Sequence, residues 1–155
     1  MAEQSAPEIQ FNLERIYIKD ISYESPAVPQ AFLQQAAPQL EVQLGIGHSP
    51  VSPPEGMHEV VLTVTASAKH NDKSLFLVEV QQAGLFRIHG IAGDMLARTL
   101  EVACAYILLP FVREVINDIV GRGGFPQLLI NPINFEALYE QKQAAVKKAP
   151  AAAQH

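Results

Sequence analysis

The chain has 155 residues, the length of a single domain that can bury a core without a metal or disulfide staple. Its only cysteine is Cys104, so an intrachain disulfide is excluded and a reducing compartment is expected. The first ten residues carry acids and no apolar run, and the longest charge-free apolar stretch covers only residues 102–112. We therefore expect neither a signal peptide nor a membrane span of about twenty residues, and predict a soluble, cytoplasmic protein.

The charge balance points to association with other proteins. Charged residues make up 17% of the chain and apolar residues 48%, whereas a typical domain has about 25% charged residues. A surface with so few charges must include apolar patches, which usually mark association sites. Residues 1–59 carry eight acids and two bases, and residues 60–155 carry eight acids and nine bases. This acidic first third disfavours nucleic acid and suggests a basic partner, although solvated surface charge would give the same count.

Four strands are predicted before Gly90, at residues 11–25, 40–46, 58–69 and 74–82, and the last two form a hairpin. The first strand has apolar residues on both parities, which indicates a strand that is covered on both faces or bent by a bulge. Six of the eleven prolines fall within residues 26–54, so the surroundings of the second strand should be irregular. The third strand should face inward with one apolar parity, namely Val60, Leu62, Val64 and Ala66.

Two helices are predicted after the strands, a long one over residues 91–120 and a shorter one over residues 134–143 with Asn134 as its N-cap. Pro110 lies inside the long helix and should kink or divide it. The middle of this helix is apolar on every side, and four strands can cover only one side, so the other side should meet another subunit. Residues 1–8 and 144–155 should be a flexible N-terminus and a disordered tail around one domain at residues 9–143.

Residues that could carry catalysis or bind a metal are few. The five histidines show no ligand spacing with one another or with Cys104, and the glycines after the long helix terminate it rather than form a phosphate loop. Cys104 lies in apolar sequence and is expected in the core. Glu101 is either a general base near apolar helix or, more simply, a polar-face residue in line with Asp94 and Arg98. We predict no catalytic residue, no metal and no cofactor.

Three blocks of sequence resemble one known family. They are FNLERIYIKDISYESP at residues 11–26, EVQQAGLF at residues 79–86 and RGGFPQLLINPINF at residues 122–135. Through these blocks, and over residues 9–143 as a whole, the chain resembles the protein-export chaperone SecB family. The resemblance implies an α+β fold, with a four-stranded antiparallel sheet followed by a long kinked helix and a shorter C-terminal helix. It also implies a homotetramer, a dimer of dimers with the long helices sandwiched between subunits.

The function that the resemblance implies involves no catalysis. The protein would hold unfolded preproteins in a translocation-competent state without ATP and deliver them to the SecA ATPase, with no nucleic acid bound and no direct insertion into a membrane. The resemblance places a SecA-docking face on four residues, for which a solvated sheet face without a partner is the alternative: Asp20, Glu24, Leu77 and Glu79.

Two further sets of residues are predicted for client binding and assembly. A broad apolar groove recognises unfolded chain, and we predict its lining from the irregular connection, the second helix and a floor on the second strand: Val28, Phe32, Leu33, Phe135, Leu138, Tyr139, Val42 and Leu44. The alternative is that these residues simply pack the second helix on the sheet. One parity of the fourth strand should face the long helix and influence assembly, together with two residues of that helix: Val78, Val80, Gln82, Ile107 and Leu108.

Two features depart from the family pattern, and two other functions stay open. Ala36 stands where the family often has Trp, and the C-terminal segment carries Lys142, Lys147 and Lys148 where well-known members are acidic, which removes the basis for a SecA contact there. One alternative function is a SecB-like chaperone for stress or toxin–antitoxin clients. The other is a hot-dog thioesterase or small-ligand protein that uses Glu101 as its base.

Overall fold

The computed structural model describes residues 8–34 and 37–152, and this part of the chain forms one four-stranded antiparallel sheet and two helices. The strands are β1 (Gln10–Glu24), β2 (Gln39–Ser52), β3 (Met57–His70) and β4 (Lys73–His89), in the spatial order β1-β4-β3-β2. Short 3-10 turns lie in the connections on either side of β2. The predicted α+β architecture, with four strands before two helices, is confirmed.

β3 and β4 form the centre of the sheet because one parity of each strand is apolar. The predicted inward residues of β3 are fully buried, and so are Val78 and Val80 opposite them on β4. β4 continues past its predicted end at Gln82 to His89, because β1 and β3 pair with it on both sides over this length. Within this extension Gly84 lets the helix above approach the strand closely. A Cβ atom on Gly84 would lie 3.1 Å from Cδ2 of Leu108. We call this side the inner face of the sheet and the opposite side its outer face.

β1 has apolar residues on both parities because it contains two bulges. Its pairing register with β4 shifts between Leu13 and Arg15, and again between Ile18 and Asp20. Each shift reverses the parity of the residues that follow. The inner face of β1 therefore collects the apolar residues of both parities, which are Phe11, Leu13, Ile16, Ile18, Ile21 and Tyr23. The bulged form of the two predicted alternatives is the one observed.

β2 is longer than predicted, since it runs over Gln39–Ser52 rather than over residues 40–46. It lies at the edge of the sheet and, among the described strands, pairs only with β3. An edge strand can include a proline such as Pro50, because only one of its two sides has to supply amide donors to a neighbour. The proline content of this region predicted irregular chain after residue 46, but residues 47–52 continue the regular edge strand.

Helix α1 covers Gly93–Arg122 and is α-helical except for a π-helical segment at Thr99–Ala103. Of the two predicted effects of Pro110, division of the helix is not observed, since Cys104–Arg122 is one continuous α-helix, and a kink stays a prediction. One side of α1 packs on the inner face of the sheet through Cys104, Leu108, Val112, Ile116 and Val120. By length and composition α1 could also cross a membrane, but the core helix of a soluble protein has the same properties.

Helix α2 covers Phe135–Ala152, so it continues beyond the predicted end at Gln143. Asn134 caps it as predicted, since its Oδ1 accepts a hydrogen bond from the amide of Ala137 at 3.0 Å. The predicted tail begins at residue 144, and residues 144–152 continue the helix. Residues 1–7 and 153–155 lie outside the described residues, and the mobility of both termini stays a prediction.

Candidate functional site

An apolar groove lies between β2 and α2. Its enclosed end is a cavity of about 300 Å³ lined by Leu44, Ile46, Phe135, Leu138 and Tyr139. A shallower hollow of about 700 Å³ shares Leu44 and Leu138 with this cavity and adds Val42, Ile133 and Ala137. We call the two together the β2–α2 groove. Five of the predicted groove residues meet here, namely Val42, Leu44, Phe135, Leu138 and Tyr139.

The base of α2 is fixed by an aromatic pair. Phe135 is fully buried, and its ring stands edge-on to that of Tyr106 at 4.9 Å between centroids. The Tyr106 hydroxyl accepts a hydrogen bond from the Phe135 amide at 3.2 Å, which satisfies a free donor of the first turn. Further along, the Arg98 guanidinium lies 5.2 Å above the Tyr139 ring. Leu138 is 39% exposed and presents an apolar surface to the groove.

Glu101 closes one end of the groove with a charge. It is buried, its Oε1 accepts a hydrogen bond from Nζ of Lys142 at 2.6 Å, and its Oε2 lies 3.7 Å from Nε2 of His48. Glu101 lies on the side of α1 that faces α2, in line with Asp94 and Arg98 as predicted, but it is buried and not a residue of the solvated surface. It lies in the π-helical segment, where Leu100, Glu101 and Val102 are all buried.

The other three predicted groove residues lie apart from this groove. Phe32 packs on Phe125, with 5.2 Å between ring centroids, and Phe125 packs on Phe76 at the same distance. Val28 is half-buried against the core, and Leu33 is 83% exposed. In register, Phe76 pairs with Ala68, which pairs in turn with Leu40 of β2. This aromatic cluster of Phe32, Phe76 and Phe125 therefore borders the Leu40 end of the face on which Val42 and Leu44 lie.

Sequence reasoning missed Phe125 and Phe76, although a signal for the first was present. Gly124, directly before Phe125, has a φ of +87°, and a Cβ atom there would lie 2.9 Å from the Phe32 ring. The Gly-Gly-Phe-Pro sequence therefore marks a close approach as well as the end of a helix. Ala36, the predicted departure from the family's aromatic groove wall, lies outside the described residues.

The four predicted docking residues come together on the outer face. Glu24 pairs with Leu77, and Ser22 pairs with Glu79, so these side chains share one face of adjacent strands. Asp20 follows two positions along on the same parity. Leu77 is exposed, and Glu79 accepts a hydrogen bond from the Thr65 hydroxyl at 3.1 Å. The arrangement is an exposed leucine with three carboxylates around it.

The five predicted assembly residues differ in where they lie. Val78, Val80 and Gln82 are buried beneath α1 within the single chain, so any effect on assembly would act through the packing of that helix. Leu108 is also fully buried, while Ile107 is only partly covered. In the apolar middle of α1, the exposed side includes Tyr106, Pro110 and Phe111 instead.

The described residues contain little that could support catalysis. Among them, no three His, Cys, Asp or Glu side chains come together to hold a metal ion. Cys104 is buried as predicted, and burial raises the pKa of its thiol to about 12, so it is not a thiolate nucleophile at neutral pH. Glu101 is held in an ion pair with Lys142.

Comparison with known proteins identifies the family. A sequence model described as Preprotein translocase subunit SecB matches residues 3–146. The chain belongs to the SecB family. It is 48% identical over 144 residues to the protein-export protein SecB of Chromobacterium violaceum, which covers 93% of this chain and 95% of the relative. It is 50% identical over 143 residues to that of Acidithiobacillus ferrooxidans, covering 92% of this chain and 94% of the relative.

A solved structure shows the same fold at low identity. It is a SecB-like chaperone of Mycobacterium tuberculosis in complex with a ChAD peptide from the HigA1 antitoxin, with a TM-score of 0.66 and 13% identity. The match covers 80% of this chain and 91% of that chain. Membership of the SecB family makes this chain a chaperone of protein export and not an enzyme. The thioesterase alternative, with Glu101 as a base, is therefore wrong.

Proposed function

We propose that this SecB-family chaperone holds unfolded preproteins in the cytoplasm without ATP and delivers them to SecA. The observation that carries the proposal is the open, apolar β2–α2 groove. Each apolar side chain that a client buries there contributes about 1.5–3 kcal/mol before ordering costs. A folded protein hides such side chains in its own core, so the groove selects unfolded chains without an energy source.

Backbone pairing supports the same proposal. Within the described part of the chain β2 is an edge strand that pairs only with β3, so its other side carries free amide and carbonyl groups beside the groove. An extended client segment can add to such an edge through main-chain hydrogen bonds, which are independent of sequence. We propose Val28, Phe32 and Leu33 as a second contact, at the aromatic cluster that borders the Leu40 end of β2.

We further propose that the chain works as a homotetramer, a dimer of dimers. Outside the groove, apolar side chains are exposed on two faces of the described part of the single chain that could meet another copy. One is the outward side of α1, with Tyr106 and Phe111, and the other is the inner face of β1, with Leu13, Ile18 and Ile21. Contiguous apolar surface of this kind marks an association site. Four copies would also place several shallow grooves on one particle, so that a long client is captured tightly but reversibly.

SecA is the proposed partner of the outer face, at Asp20, Glu24, Leu77 and Glu79. Carboxylates around an exposed leucine match the usual interface pattern of a charged rim and an apolar centre. The rim would steer a basic surface of SecA, while Leu77 supplies apolar contact. This face lies on the side of the sheet opposite the groove, so a client and SecA could bind at the same time.

The test of the groove is whether the purified protein delays refolding of a denatured secretory precursor in the absence of ATP. Leu138→Ala should lower client affinity by about three- to tenfold, because it removes apolar surface from the groove. Leu129→Ala is the matched control, because Leu129 is 85% exposed and does not line the groove. Wild-type affinity in Leu138→Ala, with the fold preserved, would contradict the assignment.

A further inference from the structure

Among the described residues, Glu101 is the charged group that contacts both walls of the β2–α2 groove. Its Oε1 binds Nζ of Lys142 on α2 at 2.6 Å, and its Oε2 faces Nε2 of His48 on β2 at 3.7 Å. Arg98, a cation nearby on the same helix, lies 3.7 Å from Glu140 and stacks on Tyr139. Glu101 therefore links α1, β2 and α2 at the enclosed end of the groove.

Burial of the Glu101 carboxylate is unfavourable unless its partners compensate for the lost solvation. Glu101 lies in the π-helical segment, and its side chain is only 9% exposed. A carboxylate in such a place is unfavourable unless a cation and hydrogen bonds satisfy it. Lys142 provides the cation, and its own side chain is 56% exposed, so this partner can leave for solvent more easily than Glu101 can.

The position of Lys142 on α2 shows what the pair controls. The helix is fixed at its base by the buried Phe135, and Lys142 lies two turns further along. Leu138 and Tyr139, which line the cavity, lie between these two attachments. Release of Lys142 would therefore remove one of the attachments of the α2 turn that carries Leu138 and Tyr139, while the Phe135 end stays in place.

The groove has less accessible volume at its enclosed end than beside it. The cavity there holds about 300 Å³, against about 700 Å³ for the neighbouring hollow. A client segment that enters this end deeply would gain room if α2 moved away from β2.

We propose that the Glu101–Lys142 pair is a latch that holds α2 closed over the groove, so that these two positioning residues set how readily clients enter. The proposal rests on the proposed function of the groove as the client site. A protein whose binding-competent state is rare shows an affinity reduced by the population of that state. Breaking the latch should then raise both the association rate and the affinity for an unfolded client, by about three- to tenfold.

Two single variants and one double variant test the latch in the full assembly. Lys142→Met removes the cation and keeps the apolar stem, and Glu101→Gln removes the anion. Glu101→Lys combined with Lys142→Glu reverses the pair and should restore wild-type behaviour. Lys147→Met is the matched control, because Lys147 is on the same helix but lines a different cleft, with Asp94 and Met95. Urea unfolding of each variant separates latch opening from loss of the fold.

Opening of α2 can be measured without any client. In an Ile46→Cys background, the introduced thiol lies in the cavity floor, while Cys104 is buried with its pKa raised to about 12 and labels slowly. In the latch variants a maleimide should label the introduced thiol about three- to tenfold faster, and in Lys147→Met it should not. Association with a denatured precursor, measured by stopped flow in the same proteins without the Ile46 change, should accelerate in parallel.

The outcomes separate the latch from the groove function. An unchanged labelling rate in both Lys142→Met and Glu101→Gln would overturn the latch. So would a reversed-pair variant that is folded but whose thiol is labelled as fast as in the single variants. If Glu101→Gln unfolds, Lys142→Met and the reversed pair still decide the question. If no variant binds client, the wild type included, then the proposed function fails, and the labelling rates alone decide the latch.

Discussion

Glu59, on the outer face of β3, is held in its ionised form by two neighbours. The Tyr17 hydroxyl donates a short hydrogen bond to one carboxylate oxygen, and Lys19 Nζ lies 2.9 Å from the other. The hydrogen bond from Tyr17 is the largest cause that lowers the pKa of Glu59 below its usual 4.5, burial opposes it, and Lys19 adds to the lowering. Burial and the same bond raise the pKa of Tyr17 to about 12.

These shifts predict how Tyr17→Phe changes stability with pH. A carboxyl group with a lowered pKa contributes stability above its unfolded pKa, and this contribution is lost as pH falls through the folded pKa. Without the Tyr17 hydroxyl the pKa of Glu59 should rise, so its contribution should be smaller and should be lost at higher pH. An NMR titration of the Glu59 carboxyl, with urea unfolding across the acid range, measures both. Lys19→Met should shift the pKa less, and an unchanged titration in Tyr17→Phe would contradict the argument.

At the scale of single elements, β1 and α1 show what a sequence pattern can and cannot predict. Bulges in β1 follow from its apolar residues on both parities, because a one-residue shift is the simplest way to bring both onto one face. The π-helical segment in α1 leaves no comparable mark. It is a change in backbone hydrogen bonding over Thr99–Ala103, which no side-chain pattern reveals. Helical spacing does place Glu101 in line with Arg98, but it does not show that α2 covers Glu101 and buries it.

The groove was predictable in part, for related reasons. Leu138 and Tyr139 on α2, and Val42 and Leu44 on β2, follow from an apolar face on each element. That Phe32 lies with Phe125 rather than with these residues depends on the conformation of the connections, for which an irregular segment offers no periodicity. The sequence groups Lys142 only with the other C-terminal lysines, since a lysine outside an apolar pattern carries no sign of a buried partner distant in sequence.

The contribution of the N-cap residue Asn134 to the stability of α2 can be tested by substitution. Asn134→Ala should destabilise α2 by about 1 kcal/mol, because the amide of Ala137 loses its acceptor, whereas Asn134→Asp should retain the cap. Hydrogen exchange of the α2 amides should accelerate in the alanine variant, while β3 and β4 exchange as in the wild type. Unchanged exchange in α2 would mean that packing of Phe135 alone sets the start of the helix.

For the whole molecule, a charge introduced on one side of α1 should dissociate the assembly, and a charge on the other side should prevent folding. Phe111 is exposed in the single chain and Leu108 is fully buried against the sheet. In a tetramer that covers the exposed side of α1, Phe111→Asp would bury an unpaired charge between subunits, at a cost of several kcal/mol, and should dissociate the assembly with its helices intact. Leu108→Asp puts the same charge in the core of each chain and should prevent folding.

Light scattering and circular dichroism distinguish these results. The wild type should scatter as a particle of about four times the 16.9 kDa chain, and Phe111→Asp as a smaller one with the same far-UV spectrum. Leu108→Asp should lose the spectrum itself. A wild-type protein that is monodisperse at the chain mass would exclude the tetramer, and a Phe111→Asp protein of unchanged mass would move the contact to β1.

The outer face of the sheet carries the remaining prediction for the whole molecule, since it faces away from both the groove and α1. Asp20→Lys and Glu79→Lys should each weaken SecA binding by about three- to tenfold at low salt, because rim charges act mainly by steering and are screened as salt rises. Each variant should also reduce the salt dependence of binding. Capture of unfolded clients should be unchanged, because the groove lies on the opposite side of the sheet.

The matched control for this prediction is Glu136→Lys, which makes the same change in net charge at an exposed position on α2. If SecA reads a particular face, this control should bind as the wild type does. Equal weakening by all three variants would mean that overall charge, and not the surface around Leu77, governs the interaction. Wild-type binding by both outer-face variants would move the docking site to the helices, because they form the other side of the molecule.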